Sequence, residues 1–374
     1  MPALISVVIP TRSRPETLDA TLRSAVEQDF DNYEIIVSDN NSEDNTREVV
    51  ERVGSGKVRY FNTGKRLSMC DNWEFALTHV TGEYVIFIGD DDAIMPGGLR
   101  LLANQIAVAG VDAYTWQTST YQWPIDGRVA QFVHDAGVTH RPPKQGDLRK
   151  EAISVLQRGG WGYYRLPSVY HGAVATRALK AIAAASGRVF HSTTPDLFTA
   201  LAIPAFVDKF VRLSSPVTLQ GRSAKSNGGA SVATNGDRVT NQFIQEYGDY
   251  KLHPSMLLLP KPVGSLIAES FILAKDLFPS VYGSVDFNYS AMWAFLRRLC
   301  LVNKKFIYAQ HNEIRRHHKI NFFEFELYCL AHDLIAFRRK LIVLTSKKGE
   351  LKCIPDNIFD FSRLFSAENI LTKD

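Results

Sequence analysis

Cysteine is scarce: the 374 residues contain four, Cys70, Cys300, Cys329 and Cys353, far apart and with no Cys-x-x-Cys pair. That spacing gives neither the paired thiols of a structural zinc site nor a disulfide framework, so a reducing cytoplasm is the expected setting. Long apolar runs are missing too. Those present, such as 256–260 and 341–344, fall far short of the roughly 20 residues that cross a bilayer. Met1-Pro2-Ala3 leads straight into an apolar segment that stops at Pro10, unlike a secretory leader. A soluble cytoplasmic protein is expected, at most peripheral at the inner face of a membrane. No sign of charge dominates either. Lys and Arg number 43 against 39 Asp and Glu, a net charge of +4. That is too little for a nucleic-acid footprint, but it suits phosphorylated substrates or an anionic membrane surface. There is no internal repeat and no low-complexity tract.

What is present, in the first hundred residues, is a repeated alternation of strand and helix patterns. The run Leu4-Ile5-Ser6-Val7-Val8-Ile9 is almost wholly apolar, as expected of a strand covered on both faces. Pro10 ends it, and Pro15 suits the first turn of a helix, with Ser13 as a nearby cap. Leu18, Leu22, Ala25 and Val26 then recur at helical spacing. Tyr33-Glu34-Ile35-Ile36-Val37 predicts a second strand, 43–52 a helix and 58–61 a third strand. A helix carrying Trp73, Phe75, Ala76 and Leu77 follows, then a fourth strand, Tyr84-Val85-Ile86-Phe87-Ile88, that runs into Gly89-Asp90-Asp91-Asp92. The next helix starts near Pro96 with Leu99, Leu102, Ile106 and Val108. Such alternation implies a mainly parallel sheet with helices on both faces, and ligands bind there at the carboxyl ends of the strands. Residues 112–220 give a mixed pattern, 221–236 a mobile Gly/Ser/Asn-rich loop, and 265–278, 291–302 and 322–340 helices. The length suggests two domains, divided near residue 240 into 1–240 and 241–374.

Glycine is absent from the turn after the first strand, Pro10-Thr11-Arg12-Ser13-Arg14-Pro15. A dinucleotide fold needs Gly-x-Gly-x-x-Gly there, and a P-loop needs Gly-Lys-Ser/Thr. A receiver-type signalling domain would place acidic residues at this point. All three classes are set aside.

Three consecutive aspartates at a strand end repel one another and raise one another's pKa. A Mg²⁺ or Mn²⁺ ion relieves this with hard oxygen ligands, and a diphosphate completes its shell. The alternative is a solvated turn that caps the next helix. Asp39, at the end of the second strand, is placed to accept the imide N–H of a pyrimidine; the alternative is an Asx-turn.

The series Ile5-Ser6-Val7-Val8-Ile9-Pro10-Thr11, Ile36-Val37-Ser38-Asp39-Asn40-Asn41-Ser42 and Gly82-Glu83-Tyr84-Val85-Ile86-Phe87-Ile88-Gly89-Asp90-Asp91-Asp92 resembles family 2 glycosyltransferases over about the first 110 residues. The resemblance implies a GT-A fold, Rossmann-like with a mainly parallel sheet flanked by helices, ahead of a helical C-terminal region. It implies a nucleotide-sugar donor and inversion at the anomeric carbon. It assigns Pro10, Thr11 and Asp39 to the nucleoside and the triplet to the DxD-type element, commonly Asp-x-Asp-Asp, with Gly89 here in the first position. Asp91 is the expected metal ligand, with Asp92 supporting it and Asp90 directed to the ribose. Family members place a general base downstream at a helix start, and Asp196 in Thr194-Pro195-Asp196-Leu197 fits; the alternative is an acid complementing the helix dipole.

Arg222 and Lys225, among small residues, form a candidate phosphate-covering loop or else an exposed linker. Arg14, Lys65 and Arg66 are weaker candidates for base or phosphate contacts. Trp161, Tyr163, Tyr164 and His171 fit an acceptor pocket or plain core packing. The run 315–319, Arg-Arg-His-His-Lys, fits anionic lipid or a solvated helix face. The expected function is transfer from a UDP-sugar, or a dTDP-sugar, to a hydroxyl of a glycan or glycolipid, with Mn²⁺ or Mg²⁺, in surface polysaccharide or glycolipid synthesis. The second part would contact acceptor, membrane or another subunit. The rivals are a non-catalytic nucleotide-sugar or carbohydrate binding module on the same fold, and a nucleotidyltransferase, which lacks its Gly-rich basic loop here.

Overall fold

The computed structural model describes residues 3–54, 56–125, 127–133, 142–226, 245–248, 251, 253–256, 262–299, 318, 320–345 and 354–371. Strand β1 (Ile5–Thr11) sits at the centre of the main sheet, with all but Pro10 of its seven residues buried. It is followed by α1 (Pro15–Val26), β2 (Tyr33–Asp39), α2 (Thr46–Gly54), β3 (Val58–Asn62), α3 (Met69–Leu77) and β4 (Tyr84–Phe87). β1 pairs in parallel with β2 on one side and β4 on the other, and β3 extends the sheet beyond β2. The apolar runs form strands because both faces are covered by helices, as the alternation predicted.

Local details differ from the expectation. Ser13 does not cap α1; it adopts φ 49° and donates its N–H to the Ser42 hydroxyl, while Pro15 opens the helix. α2 starts at Thr46 rather than 43, because Asp44 accepts the Thr46 N–H and hydroxyl just ahead of it. In α4 (Gly98–Ala109) Leu99, Leu102 and Ile106 are buried, but Val108 faces solvent.

The mixed middle stretch adds the second half of the main sheet. β6 (Ala113–Thr115), β9 (Lys144–Asp147), β10 (Gly172–Ala175) and β11 (Lys209–Arg212) complete eight strands in the order β3-β2-β1-β4-β10-β6-β11-β9, with β10 antiparallel to β4. Helices α5 (Leu148–Gln157), α6 (Thr176–Ser186) and α7 (Pro195–Ala202) connect these strands. β5 (Ala93–Ile94), β12 (Thr218–Arg222), β7 (Thr120–Gln122) and β8 (Gln131–Val133) form a small sheet beside the acidic turn.

The second part is helical: α8 (Pro262–Leu277), α9 (Pro279–Tyr282), α10 (Tyr289–Leu299), α11 (Phe322–Thr345) and α12 (Ile358–Leu371). Phe271, Tyr282, Met292 and Phe325 share one buried cluster with Phe87, Phe190, Phe198 and Leu201, so packing is continuous across the two sides of residue 240. Gly159 and Gly160 allow this approach. Both have positive φ, and a Cβ on them would lie 2.0 Å from the Met292 backbone nitrogen and 2.2 Å from the Phe271 ring. α12 returns to the first part, where Phe361 and Phe365 cover Ala20, Met95 and Tyr121. No helix among the described residues is long and apolar enough to cross a membrane. The expected division at 240, residues 227–236 of the expected 221–236 loop and all of the basic run but His318 lie outside the described residues, while Gly221 and Arg222 close β12 rather than open a loop.

Candidate active site

The chain leaves β1 in one direction toward β2 and β3 and returns on its other side as β4. This makes the carboxyl ends of β1 and β4 a topological switch point, where ligands bind in open α/β sheets. There the Thr11 hydroxyl donates to Asp90 at 2.6 Å and the Arg14 guanidinium stands 3.0 Å from the same carboxylate. Burial pushes the Asp90 carboxyl up, opposed by Arg14 and Thr11.

The three aspartates point three ways. Asp90 turns under β1 to Arg14. Asp92 turns back into the protein, accepting from the Gly89 N–H at 2.6 Å, the Tyr170 hydroxyl at 2.7 Å and the Gly221 N–H at 2.7 Å, with His171 Nε2 at 3.3 Å. Only Asp91 faces the cavity. The Ser223 N–H donates to its Oδ2 at 2.9 Å, and its Oδ1 accepts no hydrogen bond among the described residues. Burial and the neighbouring Asp92 push the Asp91 carboxyl up to about 7. Gly89 is tight here: a Cβ would come within 3.0 Å of Asp91 Oδ1 and 3.1 Å of Asp92 Oδ2.

β12 is laid against this turn and delivers the basic residues. Gly221 makes the contact possible, since a Cβ would sit 1.7 Å from the Asp91 carbonyl oxygen. Beyond it Arg222 and Lys225 are exposed and line the cavity, and neither side chain has an ion pair or hydrogen bond among the described residues. The cavity has a volume of about 640 Å³. Pro10, Thr11, Arg12 and Asn40 line one end, and Trp73, Tyr163, Tyr170, Leu197 and Leu266 supply an apolar wall. Tyr170 is held by its bond to Asp92, and burial raises its pKa well above the usual tyrosine value.

Asp196 lies in the first turn of α7, directly after Pro195, and lines the same cavity. Burial raises its pKa, opposed by the backbone N–H groups of Leu197 and Asp196 and by His171. A carboxylate with raised pKa at the edge of a cavity is a stronger proton acceptor than an ordinary one.

Among the described residues no three His, Cys, Asp or Glu side chains converge into a metal-ligand cluster. Asp91, the member of the triplet that lines the cavity, could offer a carboxylate oxygen to a hard divalent ion.

Pro10, Thr11, Arg14, Asp91, Asp196, Arg222 and Lys225 thus share one cavity, with Asp90 directly beneath Thr11 and Arg14. Asp92, Asp39, Arg66 and Lys65 stand outside the lining. Asp92 is turned inward, as above. The Asp39 carboxylate accepts four donors, the Ser42 N–H and hydroxyl, the Tyr60 hydroxyl and the Asn62 amide, and Asp39 is absent from the lining. Arg66 is ion-paired to Glu246, which also holds Arg12 at 2.9 Å and lines the cavity. Of the aromatic candidates only Tyr163 lines the cavity. Trp161 stacks on His332 and His171 is tied to Thr218 and Asp92. Tyr170, Trp73 and Glu246 were missed because nothing local marks them, whereas Asn40 lies in the strand-end segment beside Asp39.

Residues 6–165 match the model for glycosyl transferase family 2. Over 108 residues the chain is 38% identical to GalNAc(5)-diNAcBac-PP-undecaprenol beta-1,3-glucosyltransferase of Campylobacter jejuni, covering 28% of this chain and 35% of that one. Over 98 residues it is 26% identical to UDP-Glc:alpha-D-GlcNAc-diphosphoundecaprenol beta-1,3-glucosyltransferase WfgD of Escherichia coli, covering 26% of this chain and 39% of that one. The alignments thus span little more than a third of these curated relatives. In architecture the chain is similar to residues 1–349 of S. aureus TarS, solved in complex with UDP-GlcNAc, with a TM-score of 0.50 and 16% identity over 83% of this chain and 92% of that one. At that identity the likeness concerns the fold, which is GT-A-like. β1, Asp39 and the acidic triplet all lie inside the stretch, residues 6–165, that matches the glycosyl transferase family 2 model.

Proposed function

We propose that this chain is an inverting, metal-dependent glycosyltransferase. It moves a sugar from a UDP-sugar, with a dTDP-sugar as the second choice, to a hydroxyl of a lipid-linked glycan in surface polysaccharide or glycolipid synthesis. One observation carries the reading. A single cavity brings together Asp91, with a carboxylate oxygen that has no donor among the described residues, Arg222 and Lys225, unpaired among the described residues, and Asp196 as a proton acceptor.

The chemistry follows from those positions. Pro10, Thr11, Arg12 and Asn40 form the nucleoside end. Asp39, with four donors already on its carboxylate, holds the loop 40–42 in place rather than meeting the base itself. Asp91 would hold Mg²⁺ or Mn²⁺, which when bound neutralises charge on the diphosphate. Arg222 and Lys225 stabilise the same charge as it grows on the departing nucleotide. Asp196 takes the proton of the acceptor hydroxyl, whose oxygen attacks the anomeric carbon on the face opposite the leaving group and inverts it. Trp73, Tyr163 and Tyr170 give the sugars an apolar face to stack on.

The family match supports the reaction class. The undecaprenol-linked acceptors in the names of the relatives from C. jejuni and E. coli support a lipid-linked acceptor reached at a membrane surface. UDP-Glc in the second name supports the uridine donor.

The test is calorimetric titration of UDP and UDP-sugars with and without Mn²⁺, beside a transfer assay on undecaprenyl-diphosphate glycans. Asp196→Asn is expected to lower transfer by at least about 100-fold while UDP affinity stays within a few-fold. Unchanged turnover removes Asp196 from the mechanism. Donor binding without transfer or hydrolysis indicates a binding module, and no nucleotide binding with either metal ends the proposal.

A further inference from the structure

Helix α11 (Phe322–Thr345) has two unlike faces. One is packed into the core through Phe325, Cys329 and His332, each buried. The other carries Phe323, Leu327, Leu330, Leu334 and Phe337, which are 74%, 51%, 57%, 59% and 62% exposed. These five follow at steps of four, three, four and three residues. That alternation is the seam of a coiled coil, and it reads as heptad positions d, a, d, a, d. A stripe of large apolar groups this long is unusual on a surface without a partner.

The charges along the helix say what the partner is. Glu324, Glu326 and Asp333 occupy the first half with no Lys or Arg among them, and Arg338, Arg339 and Lys340 occupy the second half with no acid. A parallel second copy would set acids beside acids and bases beside bases. An antiparallel copy sets the acidic half of each helix beside the basic half of the other, and opposes the two helix dipoles favourably.

We infer that α11 is a homodimerisation surface, on which two copies of this chain pair antiparallel through the Phe323–Phe337 seam. In that register Leu330 layers against Leu334 of the second copy and Leu327 against Phe337. Glu324 flanks the seam beside Arg338 of the other chain. Asp333 meets its own copy at the two-fold axis, each neutralised by Arg297 of its own chain at 2.6 Å. With about 100 Å² hidden per seam residue, five on each copy bury on the order of 1,000 Å² in total, the lower limit for a specific interface. The dimer is therefore reversible.

Sedimentation velocity on the full chain from roughly 1 to 100 µM tests this, and it reads mass rather than sugar transfer, so it stands or falls separately from the proposed activity. The wild type is expected to move from one chain mass toward two across that range. Leu330→Glu combined with Leu334→Glu, both directed away from the core, is expected to stay monomeric with unchanged helicity. Should that variant fold poorly, charge exchange decides. Glu324→Arg and Arg338→Glu are each expected to weaken association at least several-fold, and mixing the two variants restores it. A wild type that remains a monomer throughout overturns the inference, including the case where it cosediments with phosphatidylglycerol vesicles and the stripe serves a membrane instead. So does a mixture of the charge variants that associates no better than either alone.

Discussion

Gly221→Ala is the sharpest test of how the site is built. A Cβ at this position would lie 1.7 Å from the Asp91 carbonyl oxygen and 2.5 Å from its carbon, and both are backbone atoms that cannot rotate away. The end of β12 must therefore withdraw from the acidic turn. Withdrawal breaks the bond from the Gly221 N–H to Asp92 at 2.7 Å and that from the Ser223 N–H to Asp91 at 2.9 Å. Each is a hydrogen bond to a buried carboxylate, worth about 2 kcal/mol, so roughly 4 kcal/mol is at stake. If the loss is felt by the whole fold, Tm falls by roughly 5–10 °C. If the strand end peels away locally, Tm holds, but Arg222 and Lys225 move off the cavity and nucleotide affinity drops at least about tenfold, or ~1.4 kcal/mol. Differential scanning calorimetry and UDP titration together cover both outcomes. An Ala variant that melts within 1 °C of the wild type and binds UDP equally well refutes the account of how β12 and the acidic turn meet.

Asp91→Asn keeps its bond to Ser223 by presenting the amide oxygen there, which turns the NH₂ toward the cavity. Mn²⁺-dependent tightening of UDP binding is expected to disappear, as read by calorimetry, and a variant that still responds to Mn²⁺ would release Asp91 from the metal role. Because Asp91 must be ionised to serve, and burial holds its carboxyl near about 7, the metal effect in the wild type is expected to strengthen as pH rises from 6 to 8. The proposed proton acceptor gives a related signature. Asp196 works only when deprotonated and burial raises its pKa, so the acidic limb of the kcat profile should lie above the ordinary carboxylate value of about 3.9. Arg222→Ala with Lys225→Ala is expected to cost at least tenfold in kcat/KM, or ~1.4 kcal/mol, with Tm unchanged because both side chains are exposed. Glu246→Gln weakens the hold on Arg12 and Arg66 and is expected to tighten UDP binding severalfold; weaker binding would show that the pairing itself shapes the nucleotide end.

Much of this protein was written in short-range order. The alternation of apolar runs and helical stripes specified β1 to β4 and their helices, since strand and helix periods are local properties of the chain. Pro195 followed by Asp196 marked a helix start, and α7 begins at Pro195. Residues 265–278, 291–302 and 322–340 read as helices and overlap α8, α10 and α11. The acidic triplet could be found from sequence, but the separate tasks of its members could not. Asp90, Asp91 and Asp92 are neighbours of one residue type, and their partners decide between them: Arg14 and Thr11 from the start of the chain, Gly221 and Ser223 from β12. Asp39 looked free to meet a base until Tyr60 and Asn62 closed on it from β3. The middle stretch hid β6, β9, β10 and β11 because three- and four-residue strands are too short to show a period. A polar side chain's role depends on which donors and charges stand within a few ångströms of it, and in this fold those come from segments far along the chain. Local pattern chose the scaffold and where its loops open; long-range contact chose the partners of each carboxylate in those loops.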